Sequence, residues 1–185
     1  YVTARNPKNG KMAKHYQVES TLSLTGSNAD DRIQIKPSEQ KGLLSDLFKG
    51  IEILKRKREI EAKYAENITS LNAKMNEFEK GKDAAKIQLE LDAAKNNHEK
   101  TIEEFKNRYA AADLDRRIDK LVLDLVKNLR QSIVVCNSND TEVQTLVNAI
   151  NNKLGNYDNT MSLSNPSYLK QGNDVAVAAL VAEMN

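Results

Sequence analysis

The sequence contains no tryptophan and few of the residues that fill a thick globular core. Aromatic residues make up 5% of the 185 residues, and the chain has only seven glycines and three prolines. A shortage of aromatic side chains makes a thin, extended core easier to fill than a thick one. Few helix breakers, together with many Lys, Glu, Ala and Leu residues, favour long helices over an all-β fold.

Cysteine is scarce, and long apolar runs and an excess of charge of one sign are missing. Cys136 is the only cysteine, so no disulfide can form within the chain. Because it ends the apolar run Ile133–Cys136, we expect a buried, inert thiol. No stretch approaches the 18 apolar residues that would suggest a transmembrane helix, which predicts a soluble chain of unknown location. The net charge of +2 argues against a generally basic nucleic-acid-binding protein.

The beginning of the chain gives no targeting information. The first residue is Tyr1, not methionine, and no apolar core of a signal peptide follows it. We therefore expect a processed or trimmed chain, or a fragment of a longer protein.

Residues 1–37 predict a small β-rich arm. Apolar and polar residues alternate from Tyr16 to Leu24, and a shorter alternation follows from Arg32 to Lys36. Strict alternation is typical of a half-buried strand, and the turn residues around these runs favour a hairpin or β-meander that ends at Pro37. So small a sheet is marginal by itself and needs a helix or a partner chain on its apolar face.

Residues 38–136 predict a long helical hairpin or bundle that resembles a coiled coil. Apolar residues recur at spacings of three and four along two stretches separated by Gly81, and the first helix should run from Leu43 to Lys80. A short turn between two long amphipathic helices makes an antiparallel hairpin the default. No strong stop precedes Leu114, so the second helix is free to continue. The predicted helix seam is formed by Leu47, Ile51, Leu54, Tyr64, Ile68, Leu71, Met75, Phe78, Ile87, Leu91, Ile102, Phe105 and Tyr109.

Residues 137–185 predict short helices and loops that form a contact region. One helix carries apolar residues from Val143 to Leu154 and stops at Gly155. A second runs from Val175 to Ala182, is apolar on all sides and is far too short to cross a bilayer. We expect this helix to be buried in the protein or between subunits.

The sequence contains no residue pattern that predicts catalysis, a metal site or a cofactor. His98 is followed by Glu99 as in the zinc-protease motif, but Ile102 occupies the position of the second histidine. The glycines stand apart and form no phosphate-binding loop. The carboxylates of residues 113–124 interleave with basic residues, which lower the carboxylate pKa and so predict a solvated ion-pair surface.

Two basic patches are candidate contacts for an anionic partner. They comprise the helical run Lys55, Arg56, Lys57 and Arg58 and the N-terminal group Arg5, Lys8, Lys11 and Lys14. Four consecutive helical residues surround the helix instead of forming one stripe, so solvated charge is the simpler interpretation of the first patch. Contact with anionic lipid or nucleic acid is the alternative.

One segment resembles a known family. The stretch from Leu44 to Leu71 contains the run KREIEAKYA at residues 57–65 and resembles the R-x-x-I-E-x-x-Y-A stretch of F-BAR membrane-bending domains. The resemblance covers 28 of the 185 residues. The strands before it and the short chain after it depart from that family, whose helices are longer. The resemblance implies a membrane-surface function.

The leading functional hypothesis is a non-enzymatic structural or assembly protein. Long apolar stripes and an uncovered small sheet predict association with copies of the chain or with other protein subunits, without a small-molecule substrate. Such parts are common in virions, tails and secretion assemblies. The alternative hypothesis is a module that binds anionic surfaces through the basic patches.

Overall fold

The computed structural model describes residues 5–6, 8, 10, 12–77, 82–110, 112–164 and 172–184. The fold is mainly helical, as the sequence predicts, with a small sheet near the beginning of the chain. Five residues used in the predictions lie outside the described residues: Tyr1, Lys11, Phe78, Lys80 and Gly81. No helix in the described ranges is long and apolar enough to span a membrane.

The sheet has two strands, β1 (Tyr16–Glu19) and β2 (Asp31–Gln34). The strands are parallel, with Val18 opposite Ile33. The predicted hairpin or meander is therefore wrong. A short helix, α1 (Leu24–Ser27), occupies the connection and brings the chain back to the start of the sheet, as a parallel pair requires.

Two long helices follow the sheet. Helix α2 (Gln40–Glu77) has 38 residues and is entered through a 3-10 turn at Pro37–Glu39. Its length is roughly 57 Å at 1.5 Å per residue. The sequence alone left open whether the second helix continues past Leu114. In the structure, helix α3 (Lys82–Tyr109) ends before that residue.

A new helical segment begins after α3, with Asp115 as its N-terminal cap. The carboxylate of Asp115 accepts a hydrogen bond from the backbone N–H of Arg117 at 2.9 Å and begins a 3-10 turn at Arg116–Ile118. This turn leads into α4 (Asp119–Lys127). An aspartate that caps an N-terminus in this way stops a preceding helix from continuing through it.

The last two helices differ in how they pack. Helix α5 (Thr141–Leu154) buries one face and ends at Gly155, whose φ of 70° is the left-handed conformation predicted for its stop. Helix α6 (Asp174–Glu183) has no buried residue.

The main core lies where β2, the first part of α2, α4 and α5 meet. It therefore draws side chains from each of the three sequence segments 1–37, 38–136 and 137–185. Its buried members are Ile33, Ile35, Leu43, Leu44, Leu47, Ile51, Ile118, Leu121, Val122, Leu125, Val126, Val143, Val147, Ile150 and Leu154.

Helices α2 and α4 pack closely at Gly50. A Cβ atom at this position would lie 3.0 Å from Cγ2 of Val122 and 3.6 Å from Cδ1 of Leu114. Such distances are shorter than, or at the limit of, favourable carbon–carbon contact, so the glycine leaves room for the neighbouring helix.

Candidate functional site

The predicted seam residues divide between two cores. Leu47 and Ile51 are buried in the main core, and Leu54 packs against it half-buried. Farther along α2, a second and smaller cluster joins this helix to α3. It consists of Leu71, Ile87 and Leu91 with the partly buried Ile68, Met75 and Ala94.

Aromatic side chains extend the contacts of the two long helices. The ring of Tyr64 on α2 stacks on that of His98 on α3, with centroids 3.9 Å apart and planes 9° from parallel. His98 is thus a packed seam residue. Phe105 and Tyr109 contact each other on α3 with centroids 4.8 Å apart, and Ile102 is half-buried nearby in the sequence.

Two side chains of the basic run contact helix ends. Arg58 donates a hydrogen bond to the backbone carbonyl of Val126 at 2.7 Å, and Lys55 donates one to the carbonyl of Lys153. These carbonyls belong to the last turns of α4 and α5. The last carbonyls of a helix lack intrahelical partners and carry partial negative charge, so a cation is favourable there.

The other two side chains of the run face solvent beside carboxylates. Arg56 lies 3.3 Å from Glu59, and Lys57 lies 3.8 Å from Glu61. All four side chains thus have a contact within the chain, and those of Arg56 and Lys57 are surface ion pairs that remain exposed. Binding of anionic lipid or nucleic acid by this run stays a prediction.

Two members of the N-terminal basic group, Arg5 and Lys14, contact the acidic side chains of Asp30 and Asp31 at the start of β2. Arg5 forms two hydrogen bonds with the carboxylate of Asp30, at 2.5 and 3.0 Å. The backbone N–H of His15 donates to the same carboxylate, and together they lower the pKa of Asp30 to about 2. Lys8 is exposed, and Lys11 lies outside the described residues.

A cluster of charged and phenolic groups joins β1 to α4. The ammonium of Lys14 donates to the Tyr16 hydroxyl and to the Asp124 carboxylate, each at 2.7 Å, and the Tyr16 hydroxyl donates to Asp124 at 2.5 Å. Asp31 completes the cluster, 3.0 Å from Lys14 and 2.9 Å from Lys120.

The pKa shifts in this cluster all favour a neutral Tyr16, an ionised Asp124 and a charged Lys14. Burial and the bond to Asp124 raise the pKa of Tyr16 to about 12. Hydrogen bonds from Lys14 and Tyr16 lower the pKa of Asp124, and the bond to Asp124 raises the pKa of Lys14 above its usual range. A neutral phenol between an ammonium and a carboxylate links the sheet to α4, which is a structural role.

The described residues contain no group of three or more His, Cys, Asp or Glu side chains placed to hold a metal ion. Two surface depressions of the described residues are open to solvent. One lies beside Arg5, His15 and Thr25, and the other beside Gln34 and Arg117.

Sequence reasoning missed a buried amide pair. Asn151 and Asn156 are fully buried, and Nδ2 of Asn156 donates to Oδ1 of Asn151 at 2.8 Å. Asn151 also accepts from the backbone N–H of Val134 at 3.0 Å and donates to its carbonyl at 2.7 Å. The available signal was its place four residues after Val147, on the apolar face of α5.

The run that ends at Cys136 lies outside the helices and strands and is only partly buried. Residues 131–138 belong to no helix or strand, and exposed and half-buried positions alternate along them. Cys136 is half-buried instead of buried, and its Sγ lies 3.1 Å from the amide nitrogen of Gln40. The thiol that was expected to be buried is therefore only half-buried, against the main core.

Helix α6 presents apolar side chains to solvent on every side. Asn173 caps its N-terminus by accepting from the N–H of Ala176 at 3.0 Å. Burial of α6 within its own chain is therefore wrong, and burial between subunits stays a prediction. Its large apolar residues are exposed by 54–81% and comprise Val175, Val177, Leu180, Val181 and Met184.

Comparisons of the chain with protein-family models, with curated proteins and with solved structures found no match.

Proposed function

We propose that the protein is a non-enzymatic structural protein that assembles with copies of itself or with other protein subunits. The observation that carries the proposal is the exposure of α6. Large contiguous apolar surfaces on soluble proteins mark sites of association. A helix that is apolar all round normally lies inside a protein assembly.

The short length of α6 also favours its association with another protein chain. Its ten residues span roughly 15 Å, about half of the hydrocarbon thickness of a bilayer. A helix this short is marginal in water without tertiary contacts. Packing against another protein chain would supply those contacts and remove the apolar side chains from water.

We propose further that α2 and α3 form an antiparallel, coiled-coil-like hairpin that serves as the shaft of the assembly. The pairings support it: Tyr64 meets His98, whereas the later residue Leu71 clusters with the earlier residues Ile87 and Leu91. Partners that run in opposite directions along two helices are expected of an antiparallel pair. A virion, tail or secretion assembly as the setting stays a prediction.

The experiment that tests this function changes α6 alone. In the double variant Val177→Lys and Leu180→Lys, lysine retains helix propensity but removes apolar surface. We expect sedimentation velocity at micromolar concentration to show an oligomer for the unchanged chain and a monomer for the variant.

A control variant places one added positive charge outside α6. Leu89 on α3 is 71% exposed, so Leu89→Lys adds a lysine without touching α6. We expect this variant to remain oligomeric. An α6 variant that assembles as well as the unchanged chain would contradict the proposed role of α6.

A further inference from the structure

The extended segment 131–138 has an inner side fixed to the main core and an outer side facing solvent. Val134 and Cys136 pack against the core. Ile133 and Val135, which alternate with them, are 53% and 76% exposed. This alternation is that of a strand, since successive side chains of an extended chain point to opposite faces.

The backbone of the segment is satisfied on one edge only. Both backbone groups of Val134 bond to the side chain of Asn151. In an extended chain the next residues present their N–H and C=O groups to the opposite edge. Within the described part of the chain, the backbone groups of Ile133 and Val135 have no hydrogen-bond partner.

We propose that this open edge pairs with the same edge of a second copy of the chain, as two antiparallel strands related by a two-fold axis at Val134. Ile133 of each copy would then lie opposite Val135 of the other and exchange both backbone hydrogen bonds with it. The pairing rests on the proposed assembly function and names a surface and a partner for it.

Self-complementarity argues for a second copy as the occupant. A two-fold interface uses the same patch on both subunits, so each position must fit its own counterpart. Pairing about Val134 places the exposed β-branched side chains of Ile133 and Val135 side by side, which is a favourable cross-strand pair. Both unpaired N–H groups and both carbonyls acquire partners in the same step.

The composition of the edge favours pairing as well. Natural edge strands are commonly protected against association by lysine, proline or a bulge. Residues 132–139 read SIVVCNSN and contain neither a charged residue nor a proline. Their β-branched core therefore retains high strand propensity without such protection.

Disulfide trapping tests the register directly. Two single-cysteine chains, Ile133→Cys and Val135→Cys, are made in a Cys136→Ser background, so that no other thiol is present. Directly opposed residues of a hydrogen-bonded antiparallel pair have Cα atoms about 5.5 Å apart, within the range of a disulfide. We expect oxidation of an equimolar mixture to give crosslinked dimers at least fivefold above either chain oxidised alone.

Each chain alone is the matched control. In the proposed register, identical residues of the two copies lie diagonally, roughly 8–9 Å apart, which is too far for an unstrained disulfide. Because both positions are exposed, neither substitution opens the core, and unchanged melting temperatures would verify this.

Crosslinking that is no greater in the mixture than in the separate chains would overturn the strand pairing. The sedimentation of the same samples separates this failure from that of the proposed function. An oligomer without mixed crosslinks overturns the pairing alone, whereas a monomer overturns both.

Discussion

At the residue scale, Asn151 satisfies the backbone of Val134 in the way that a neighbouring strand would. Its amide accepts from one backbone group and donates to the other, and Asn156 fills part of its remaining capacity. Buried polar groups in folded proteins nearly always have hydrogen-bond partners. The two asparagines therefore hold an extended segment against α5 where no sheet is present to do so.

Replacing this amide should cost substantial stability. In Asn151→Ala, the backbone groups of Val134 lose their partners beside the core, at about 1–3 kcal/mol for each unsatisfied group. We expect the free energy of unfolding to fall by about 3 kcal/mol in urea denaturation. Asn152→Ala alters the adjacent exposed residue and should change it by less than about 0.5 kcal/mol. Equal losses in the two variants would contradict the role of Asn151.

Sequence patterns could not identify Asn151 because asparagine is usually exposed. The apolar face of α5 was visible in the spacing of Val143, Val147, Ile150 and Leu154, which are buried as that spacing requires. From the sequence alone, a polar residue on such a face indicates the edge of the apolar surface. Its burial becomes understandable only when its hydrogen-bond partners are known.

At the element scale, the contact of α2 with α4 depends on the absence of a side chain at Gly50. Val122 is buried, and a β-branched side chain in a helix has one strongly preferred rotamer. It therefore cannot move aside easily for a new methyl group. Gly42 lies on the same helix, where a Cβ atom would meet nothing within 4 Å.

The two glycines should respond to alanine with opposite signs. Gly42→Ala reduces the entropy of the unfolded chain and improves helix propensity, so we expect stability to rise by up to about 1 kcal/mol. In Gly50→Ala the same gain is outweighed by overpacking, which typically costs about 1–3 kcal/mol. Thermal unfolding measures the stability of both variants. A stabilised Gly50→Ala chain would show that α2 and α4 can move apart with little loss of free energy.

The small sheet should respond to acid through Glu19. The Ser23 hydroxyl and, next, the guanidinium of Arg32 lower the pKa of this carboxyl to about 2. A folded-state pKa below the unfolded value contributes stability above the unfolded pKa, and the contribution is lost as the pH falls through the folded pKa. We expect the free energy of unfolding of the unchanged chain to exceed that of Glu19→Gln by a constant amount above about pH 5. This difference should disappear as the pH falls to about 2.

A matched variant removes the hydrogen bond that the Ser23 hydroxyl donates to Glu19. Ser23→Ala should raise the folded-state pKa of Glu19, so the pH dependence of unfolding should become weaker and end at a higher pH, whereas its onset near the unfolded-state pKa should not move. Urea midpoints measured from pH 2 to 6 distinguish the three chains. Parallel pH profiles for all three would contradict the assignment.

Helices were predictable from this sequence and strand direction was not. The spacings of three and four along α2 and α3 follow from helix geometry itself. The alternations at Tyr16–Leu24 and Arg32–Lys36 predicted extended chain, but alternation is the same for parallel and antiparallel pairs. The direction depends on the connection, where Ser23 caps α1 through the N–H of Gly26. Such a local hydrogen bond produces no periodic pattern in the sequence, so the direction of the second strand could not be predicted from periodicity.

At the scale of the whole molecule, the distribution of apolar surface is uneven. The sheet, the first part of α2, α4 and α5 bury one core, and the long helices share a smaller cluster. Exposed apolar side chains outside both clusters include those of α6 and those of Ile133 and Val135. The basic run, in contrast, is largely occupied by contacts within the chain. This distribution supports the proposed association through apolar surface over the alternative of anion binding.

Sedimentation equilibrium of the unchanged chain tests the central claim, assembly through apolar surface, most directly. Measured across micromolar concentrations, the molar mass should be a multiple of 20.7 kDa and should fall toward that value on dilution. Apolar association should persist at high salt, because screening weakens exposed charge pairs and not hydrophobic contacts. A compact monomer of 20.7 kDa at every concentration and salt would contradict the account.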